Sequence, residues 1–439
     1  MTQKKALEIM LAGNNVFLTG AAGSGKTYVL KEFIKKSKTK DKKVAITAST
    51  GIAATHLGGM TIHSWSGIGV KNSLEEINLK SMATRLKLAS RICSADILII
   101  DEISMLAAQQ LAMVDSVCRT IRESALPFGG LQVVLCGDFF QLPPVSRDNQ
   151  PAEFAFKSEA WRNLMPDVCY ITYQYRQQDA DYLRVLKAIR SGEVTQEEIN
   201  ILASRLNRPI TSKVKPPRLF AHNARADAIN NFELELLAGE AKSYQMAETG
   251  NADLVEQLIR GCLAPQVLNL KVGAKVMFVK NNPGSGYMNG TVGEVVDIDE
   301  DYPVVLTKSG DEIIVQPESW EIRDVRDENK ILASISQIPL RLAWAITIHK
   351  SQGMSLDMAE INLSGAFAYG MGYVALSRVR SLSGLNLTGI NEIALQVDPE
   401  IIELDRYWQK MSQNLESSFL RVPPLAMLNL NRGSIVPRR

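Results

Sequence analysis

Val16-Phe-Leu-Thr-Gly-Ala-Ala-Gly-Ser-Gly-Lys-Thr27 is the stretch from which the rest of the chain can be read. Val16-Phe17-Leu18 has the apolar run of a short buried strand. Gly20 to Thr27 follow at once, and Tyr28 to Lys36 carry helical spacing. Glycines at 20, 23 and 25 permit a tight backbone that aims N–H groups and a helix N-terminus at an anion. In that geometry Lys26 reaches the β/γ-phosphates of a nucleotide, and Thr27 offers its hydroxyl to Mg²⁺. The bland alternative is a Gly-rich turn. Every fixed position of the motif and both flanking elements speak against it.

A phosphate loop needs a carboxylate for its metal. Ile97-Leu-Ile-Ile100 followed by Asp101-Glu102 supplies one at the end of an apolar strand. There Asp101 holds Mg²⁺ and Glu102 orients or deprotonates the attacking water. Alone, the pair would read equally well as two acids in the first turn of a helix. A third strand, Gln132 to Cys136, runs into Gly137-Asp-Phe-Phe-Gln-Leu-Pro-Pro-Val145. Open parallel sheets bind ligands at the carboxyl ends of their strands, so Gln141 is placed to sense a γ-phosphate.

The 439 residues carry 49 Lys+Arg against 47 Asp+Glu, a formal charge of +2, with 46% hydrophobic and 22% charged residues. Those figures describe a soluble globular chain of about two to four domains, and they exclude disorder, collagen and a disulfide scaffold. No apolar run of about 18 residues suggests a membrane span, and Met1-Thr-Gln-Lys-Lys lacks the apolar stretch of a secretory signal. The five cysteines (93, 118, 136, 169, 262) are scattered and odd in number, which fits reduced thiols in an intracellular, if bacterial cytoplasmic, setting. Near-zero net charge means that any nucleic-acid affinity comes from local grooves.

Several further blocks occur in order: Ala48-Ser-Thr-Gly-Ile-Ala-Ala54, Thr61-Ile-His-Ser-Trp65, Tyr175-Arg-Gln177, His349-Lys-Ser-Gln-Gly353 and Tyr373-Val-Ala-Leu-Ser-Arg378. Together with the phosphate loop and the two segments after it, they resemble superfamily 1 helicases. Arg119-Thr-Ile-Arg122 and Pro127-Phe-Gly-Gly-Leu-Gln132 narrow the resemblance to the Pif-one (petite integration frequency) DNA helicases, of superfamily 1B. It covers the chain from near residue 3 to near 390.

That resemblance implies an ATP-driven motor moving 5′ to 3′ on single-stranded DNA. It would unwind duplexes, G-quadruplexes and RNA–DNA hybrids in genome maintenance, including repair, recombination and telomere maintenance, and act as a monomer when translocating. By the same resemblance the catalytic set is Lys26, Asp101, Glu102, Gln141, Arg176 and Arg378, the two arginines approaching the γ-phosphate from a second lobe. Nucleotide contacts fall on Gln3, which would read adenine, and on Gly20, Ala22, Gly23, Ser24, Gly25, Lys26, Thr27 and Gly353. Thr27 and Asp101 hold the metal. Thr50, Gly51, His63, Asn223, His349 and Lys350 would touch DNA, mostly its phosphates. At most one or two of Trp65, Phe139, Phe140 and Trp344 are expected to stack on bases, since most aromatics this close to strands are core. The alternatives are a metabolic P-loop ATPase, a DNA-binding scaffold, and a DNA-stimulated helicase subunit of a larger recombination or nuclease complex.

The expected fold class is α/β, with two RecA-like parallel-sheet motor domains. The first spans 1–165 and holds a small wedge insertion at 66–95. The second spans 166–269 and 331–439, with a C-terminal tail, interrupted at 270–330 by a small Src-homology-3-like β-barrel. Local pattern supports one long helix from Ile103 to Glu123, with Leu111, Val114, Cys118 and Ile121 as core, and a helix from Asp181 to Arg190. The Lys-rich run Lys31 to Lys43 is expected to solvate the outer face of the phosphate-loop helix.

Overall fold

The computed structural model describes residues 1–69, 73–144, 152–177, 179–210, 216–221, 223–299, 301–307, 309–323 and 330–421. The tail beyond 421, Lys71, His222 and the side chain of Asn223 lie outside that description.

Six strands form the first sheet: β1 (Val16–Gly20), β2 (Val44–Ala48), β3 (Met60–Thr61), β4 (Ile97–Asp101), β5 (Gln132–Cys136) and β6 (Asp167–Ile171). All pair in parallel, in the order β3-β2-β4-β5-β1-β6. Every residue of β1 and β4 is buried, as it must be in a sheet covered by helices on both faces. Parallel register brings Ala48 opposite Asp101 and Leu18 opposite Cys136, so the segments that follow β1, β2, β4 and β5 emerge along one edge. The helix after the phosphate loop, Lys26–Lys38, keeps Lys31, Lys35, Lys36 and Lys38 exposed while burying Val29, Leu30, Phe33 and Ile34. Its lysines solvate the outer face, as expected.

The second parallel sheet has the order Ala345–Thr347, Arg218–Phe220, Ala359–Leu363, Leu385–Ile390. Between its first two strands in the chain lies an antiparallel insertion. Its five-stranded sheet runs Glu312–Ile314, Tyr302–Thr307, Val292–Asp299, Lys275–Phe278, Leu340–Leu342, around a core that includes Val276, Phe278, Val295, Val305 and Leu340. A three-stranded sheet (Glu318–Arg323, Ile331–Gln337, Ala247–Gly250), a two-stranded sheet (Lys242–Gln245, Val267–Leu270) and the helix Ala252–Gly261 complete it. Two parallel-sheet lobes with a small antiparallel insertion are thus present.

Three expected boundaries move. Asp167–Ile171, placed by its sequence in the second lobe, is the sixth strand of the first sheet, paired with β1 from Val16↔Asp167 to Gly20↔Ile171. Ile331–Gln337 and Leu340–Leu342 pair inside the insertion and not with the second lobe. Ala247–Gly250, before residue 270, also belongs to the insertion. An apolar run announces a strand, but its partner lies far along the chain and leaves no local mark. The single helix expected from Ile103 to Glu123 is instead a turn, Ile103–Met105, followed by the helix Ala108–Ile121. Left-handed Glu102 (φ 51°) and extended Leu106 on either side of the turn prevent a continuous helix. Its expected core residues are all buried.

The family-signature segment has a structural role. Arg122 donates from Nε to the Gly129 carbonyl at 2.7 Å and from Nη1 to those of Ile92 and Ala95 at 3.1 Å each. It thereby ties the turn Pro127–Gly130 to the end of the helix Leu86–Ser94. In the expected wedge region, that helix and Leu79–Ala83 pack through Met82, Leu88 and Ile92, leaving Leu86 86% exposed. No helix among the described residues is long and apolar enough to cross a membrane.

Candidate active site

One cleft of about 710 Å³ is lined by Ala22, Gly23, Gly25, Lys26 and Thr27 from the phosphate loop, Asp101 and Glu102 from the end of β4, and Gln141. Arg176, Gly353 and Arg378 line it too, as do Thr50, His349 and Lys350. Four sequence blocks from one lobe and three from the other therefore meet, at a volume suited to a nucleotide.

The loop is shaped by its glycines. Gly23 and Gly25 hold φ of +86° and +84°, and a Cβ on Gly23 would lie 2.6 Å from Cβ of Arg176. Lys26 Nζ donates to the loop's own carbonyls, Gly20 at 2.8 Å and Ala21 at 3.2 Å, and must exchange them for phosphate oxygens. Gln3 opens the helix Gln3–Leu11 and donates from Nε2 to the Ser24 carbonyl at 3.0 Å, which places its amide beside Gly25. The Tyr175 ring, 54% exposed, lies against the same glycine.

Asp101 is 8% exposed, and its Oδ1 accepts the Glu102 N–H at 2.9 Å. Burial raises the pKa of both acids. Glu102, carrying the adjacent Asp101 charge as a second cause, is pushed up to about 7. A cation beside them would reverse that cost. The Thr27 hydroxyl and Asp101 carboxylate are hard oxygen donors on the same cleft, and Mg²⁺ takes such a set when phosphates and water complete it. The residues present fit that ion.

Two guanidiniums face the acids. Arg378 is 1% exposed and donates from Nε to the Val374 carbonyl (2.9 Å) and from Nη2 to Ser377 Oγ (2.7 Å). Arg176 is half-buried and donates from Nη1 to the Ser377 carbonyl at 3.1 Å, so both are fixed on the helix Met371–Arg378. Burial, and next the charge of Arg378, push Arg176 down to about 9. Two adjacent cations, Arg378 buried and Arg176 partly so, suit an anion of high charge.

Glu102 can act as a base only when ionised. The kcat/KM for ATP turnover is therefore expected to rise with pH through a midpoint near 7, since below it the protonated carboxyl cannot accept the water's proton. A pH series of initial rates checks this, and a flat profile over roughly pH 6 to 8 would refute it.

The strand-contact candidates are distributed unevenly. Thr50 caps the helix Gly51–His56, accepting the Ala53 N–H at 3.3 Å, and lines the cleft. Gly51 is packed against the insertion, where a Cβ on it would lie 2.5 Å from Cα of Gly261. Lys350 Nζ stands 3.6 Å from the Asp227 carboxylate. His63 lies on the short helix Ile62–Ser66 and does not line the cleft. The aromatic expectation fails: Trp65, Phe139, Phe140 and Trp344 are 1%, 3%, 3% and 8% exposed, so these rings are core and present no face to a base.

Gln352 on the cleft, and several residues behind it, escaped the sequence. Gln352 donates from Nε2 to Glu102 Oε2 at 3.1 Å, and Ser49 Oγ donates to the Glu102 carbonyl at 2.7 Å. Behind Gln141, the Asp138 carboxylate accepts two hydrogen bonds from Arg190 at 2.7 and 2.8 Å. Arg190 also donates to the Tyr373 hydroxyl at 3.2 Å, which accepts the Ala22 N–H of the phosphate loop at 3.1 Å. Gln352, Tyr373 and Asp138 stood inside the quoted blocks. Arg190 lay in an amphipathic helix and carried no signal beyond its charge. A separate groove of about 430 Å³, between Lys38 to Met60 and Trp320 to Arg323, includes none of the catalytic candidates.

Residues 2–199 match the family model described as PIF1-like helicase, and residues 253–298 match the DNA helicase Pif1 2B domain. The ATP-dependent DNA helicase Pif1 of Psychrobacter sp. (strain PRwf-1) is 42% identical over 95% of this chain and 72% of its own length. Of the vertebrate relatives' length the chain spans between 61% and 65%. The crystal structure of Bacteroides sp Pif1 in complex with ADP-AlF4 superposes with a TM-score of 0.81 at 32% identity, over 93% of this chain and 96% of that one. Bacteroides Pif1 bound to ssDNA covers the same shares at 32% identity, with a TM-score of 0.65.

Proposed function

This chain belongs to the PIF1-like helicase family of ATP-dependent DNA helicases, and on that premise we propose that it moves 5′ to 3′ along single-stranded DNA, separating duplexes ahead of it. The polarity comes from the family; the observation that carries the motor reading is one cleft in which Lys26, Asp101 and Glu102 of one lobe face Arg176 and Arg378 of the other, beside Thr50, His349 and Lys350.

In this reading Gln3 reads the adenine edge while Tyr175 lies under the ring. Lys26 and the loop amides hold the phosphates. Thr27 and Asp101 would hold Mg²⁺, which would supply positive charge beside the phosphates. Glu102 takes the proton of the attacking water, and Arg176 and Arg378 stabilise the charge that develops on the γ-phosphoryl oxygens. Because Gln141 and both arginines address that one group, its presence favours a closed cleft and its loss an open one. Thr50, His63, Asn223, His349 and Lys350 grip the strand through its phosphates, so sequence matters little.

The energetics allow the coupling. Opening a base-pair step costs about 1.4 kcal/mol, and coupling between sites is typically about 1 to 3 kcal/mol. G-quadruplexes and RNA–DNA hybrids are further substrates in this reading, the working unit is a monomer, and the setting is intracellular genome maintenance.

Strand displacement on 5′-tailed, 3′-tailed and blunt duplexes tests it, with wild type and Lys26→Ala side by side. Wild type is expected to unwind the 5′-tailed substrate alone. Lys26→Ala is expected to lose at least about 10²-fold, since the ammonium that leaves the Gly20 and Ala21 carbonyls for the phosphates is gone. Unwinding of only the 3′-tailed duplex would overturn the polarity. Activity surviving in Lys26→Ala would overturn the site.

A further inference from the structure

Glu102 is held from both sides of the cleft, each time by a near neighbour of a strand-contact candidate. From the first lobe, Ser49 Oγ donates to its backbone carbonyl at 2.7 Å, one residue before Thr50. From the second, Gln352 Nε2 donates to its carboxylate at 3.1 Å, two residues after Lys350. Glu102 has a left-handed backbone (φ 51°, ψ 45°), which a non-glycine residue keeps only where its surroundings impose it. The segment bearing Gln352 is compact. Lys350 N–H donates to Thr347 Oγ1 at 3.3 Å, and Ser351 Oγ donates to the Ile348 carbonyl at 2.7 Å, so a pull on Lys350 is transmitted to Gln352.

We propose that Gln352 is a brake on hydrolysis, released when a polynucleotide binds. In the strand-free protein its amide occupies Oε2 of the Glu102 carboxylate, competing with the attacking water for that oxygen. Phosphates drawn to His349 and Lys350 shift the 347–352 turn and take the amide off the carboxylate. Water then donates its hydrogen bond to Glu102 and attacks the γ-phosphorus. Its proton passes to the carboxylate as the bond to the bridging oxygen breaks and ADP leaves. Ser49 meanwhile keeps the Glu102 backbone in place, so the base is freed without leaving the site. A neutral amide suits this task, because an ammonium would pair with the carboxylate too firmly for a strand to displace. Gln352 is thus a positioning residue for Glu102, and the inference rests on reading Glu102 as the base and His349 and Lys350 as strand contacts.

The test measures steady-state ATP turnover of the full chain with and without oligothymidylate, for wild type, Gln352→Met and Gln352→Ala, alongside strand affinity and thermal unfolding. Both variants are expected to raise the strand-free kcat at least about fivefold, the lower end of ordinary inter-site coupling, while the rate at saturating strand stays within about twofold. The ratio of stimulated to basal turnover therefore falls. Methionine keeps the side-chain volume without a donor, and it carries the test should the alanine protein fold poorly. A strand-free rate unchanged or lowered in the methionine protein overturns the brake, as does a rise confined to alanine, which reports lost packing. Wild-type turnover indifferent to the strand overturns the helicase reading and the brake together. Stimulated wild type with variants whose strand-free rate stays at the wild-type level overturns the brake alone.

Discussion

Arg378→Ala protein is expected to lose about 10³ to 10⁵ of its strand-stimulated ATP turnover, the range seen when a guanidinium is withdrawn from developing phosphoryl charge. The side chain is 1% exposed, and two of its nitrogens are anchored to Val374 and Ser377. It has no ion pair with a carboxylate among the described residues, and burial lowers its pKa while the charge of Glu102 opposes the shift. A buried cation so placed is costly at rest and becomes favourable when an anion enters. The loss is therefore expected in kcat, measured in single-turnover hydrolysis with saturating strand, while the affinity for a fluorescent ATP analogue changes by less than about tenfold. Arg378→Lys is expected to recover little, since an ammonium keeps the charge but not the planar fork. Turnover in the alanine protein within about threefold of wild type would remove Arg378 from the catalytic set.

Arg190→Met is expected to lower stability by about 3 to 5 kcal/mol, the usual consequence of removing one partner from a buried ionic cluster. Arg190 makes five hydrogen bonds, to both oxygens of Asp138, to Tyr373, to Tyr170 and to Asp405. Asp138 is fully buried, and the side chain of Asp405 is only 10% exposed. Without the guanidinium, both carboxylates stay out of water with no cation beside them. The Phe140 ring, 4.1 Å below the guanidinium carbon, loses its contact as well. By contrast Arg406 and Glu193, 64% and 70% exposed, form a pair whose removal is expected to cost no more than about 1 kcal/mol. Urea unfolding of Arg190→Met and Arg406→Met checks the difference, and similar midpoints for the two would refute it. The first change is also expected to slow turnover, because Asp138 and Tyr373 connect Arg190 to the Gln141 segment and to the phosphate loop.

How much of the site was legible depended on how far apart its parts lie along the chain. The phosphate loop and Asp101–Glu102 each work through neighbours in one short segment, so composition and spacing suffice to recognise them. Arg176 and Arg378 were reached only by resemblance, and the structure places both on the cleft those segments line. The bond from Gln352 to Glu102 joins positions 250 apart, and the one from Arg190 to Asp138 positions 52 apart. Such pairs have no spacing to recognise.

Local devices were already written in the order of residues: strands, the glycine-shaped loop, the acids at a strand end, and the succession of blocks that identifies the family. These depend on backbone sterics and on apolar periodicity, which act over a few residues. Long-range packing was needed to fix which sheet receives Asp167–Ile171, where the insertion closes at Leu340–Leu342, and that Trp65, Phe139, Phe140 and Trp344 are core. It also decided that Glu102 is held by residues beside the proposed strand contacts. An apolar strand or an aromatic ring is satisfied by any surface that excludes water. Which surface it meets follows from how the whole chain packs, not from the residue's own neighbours.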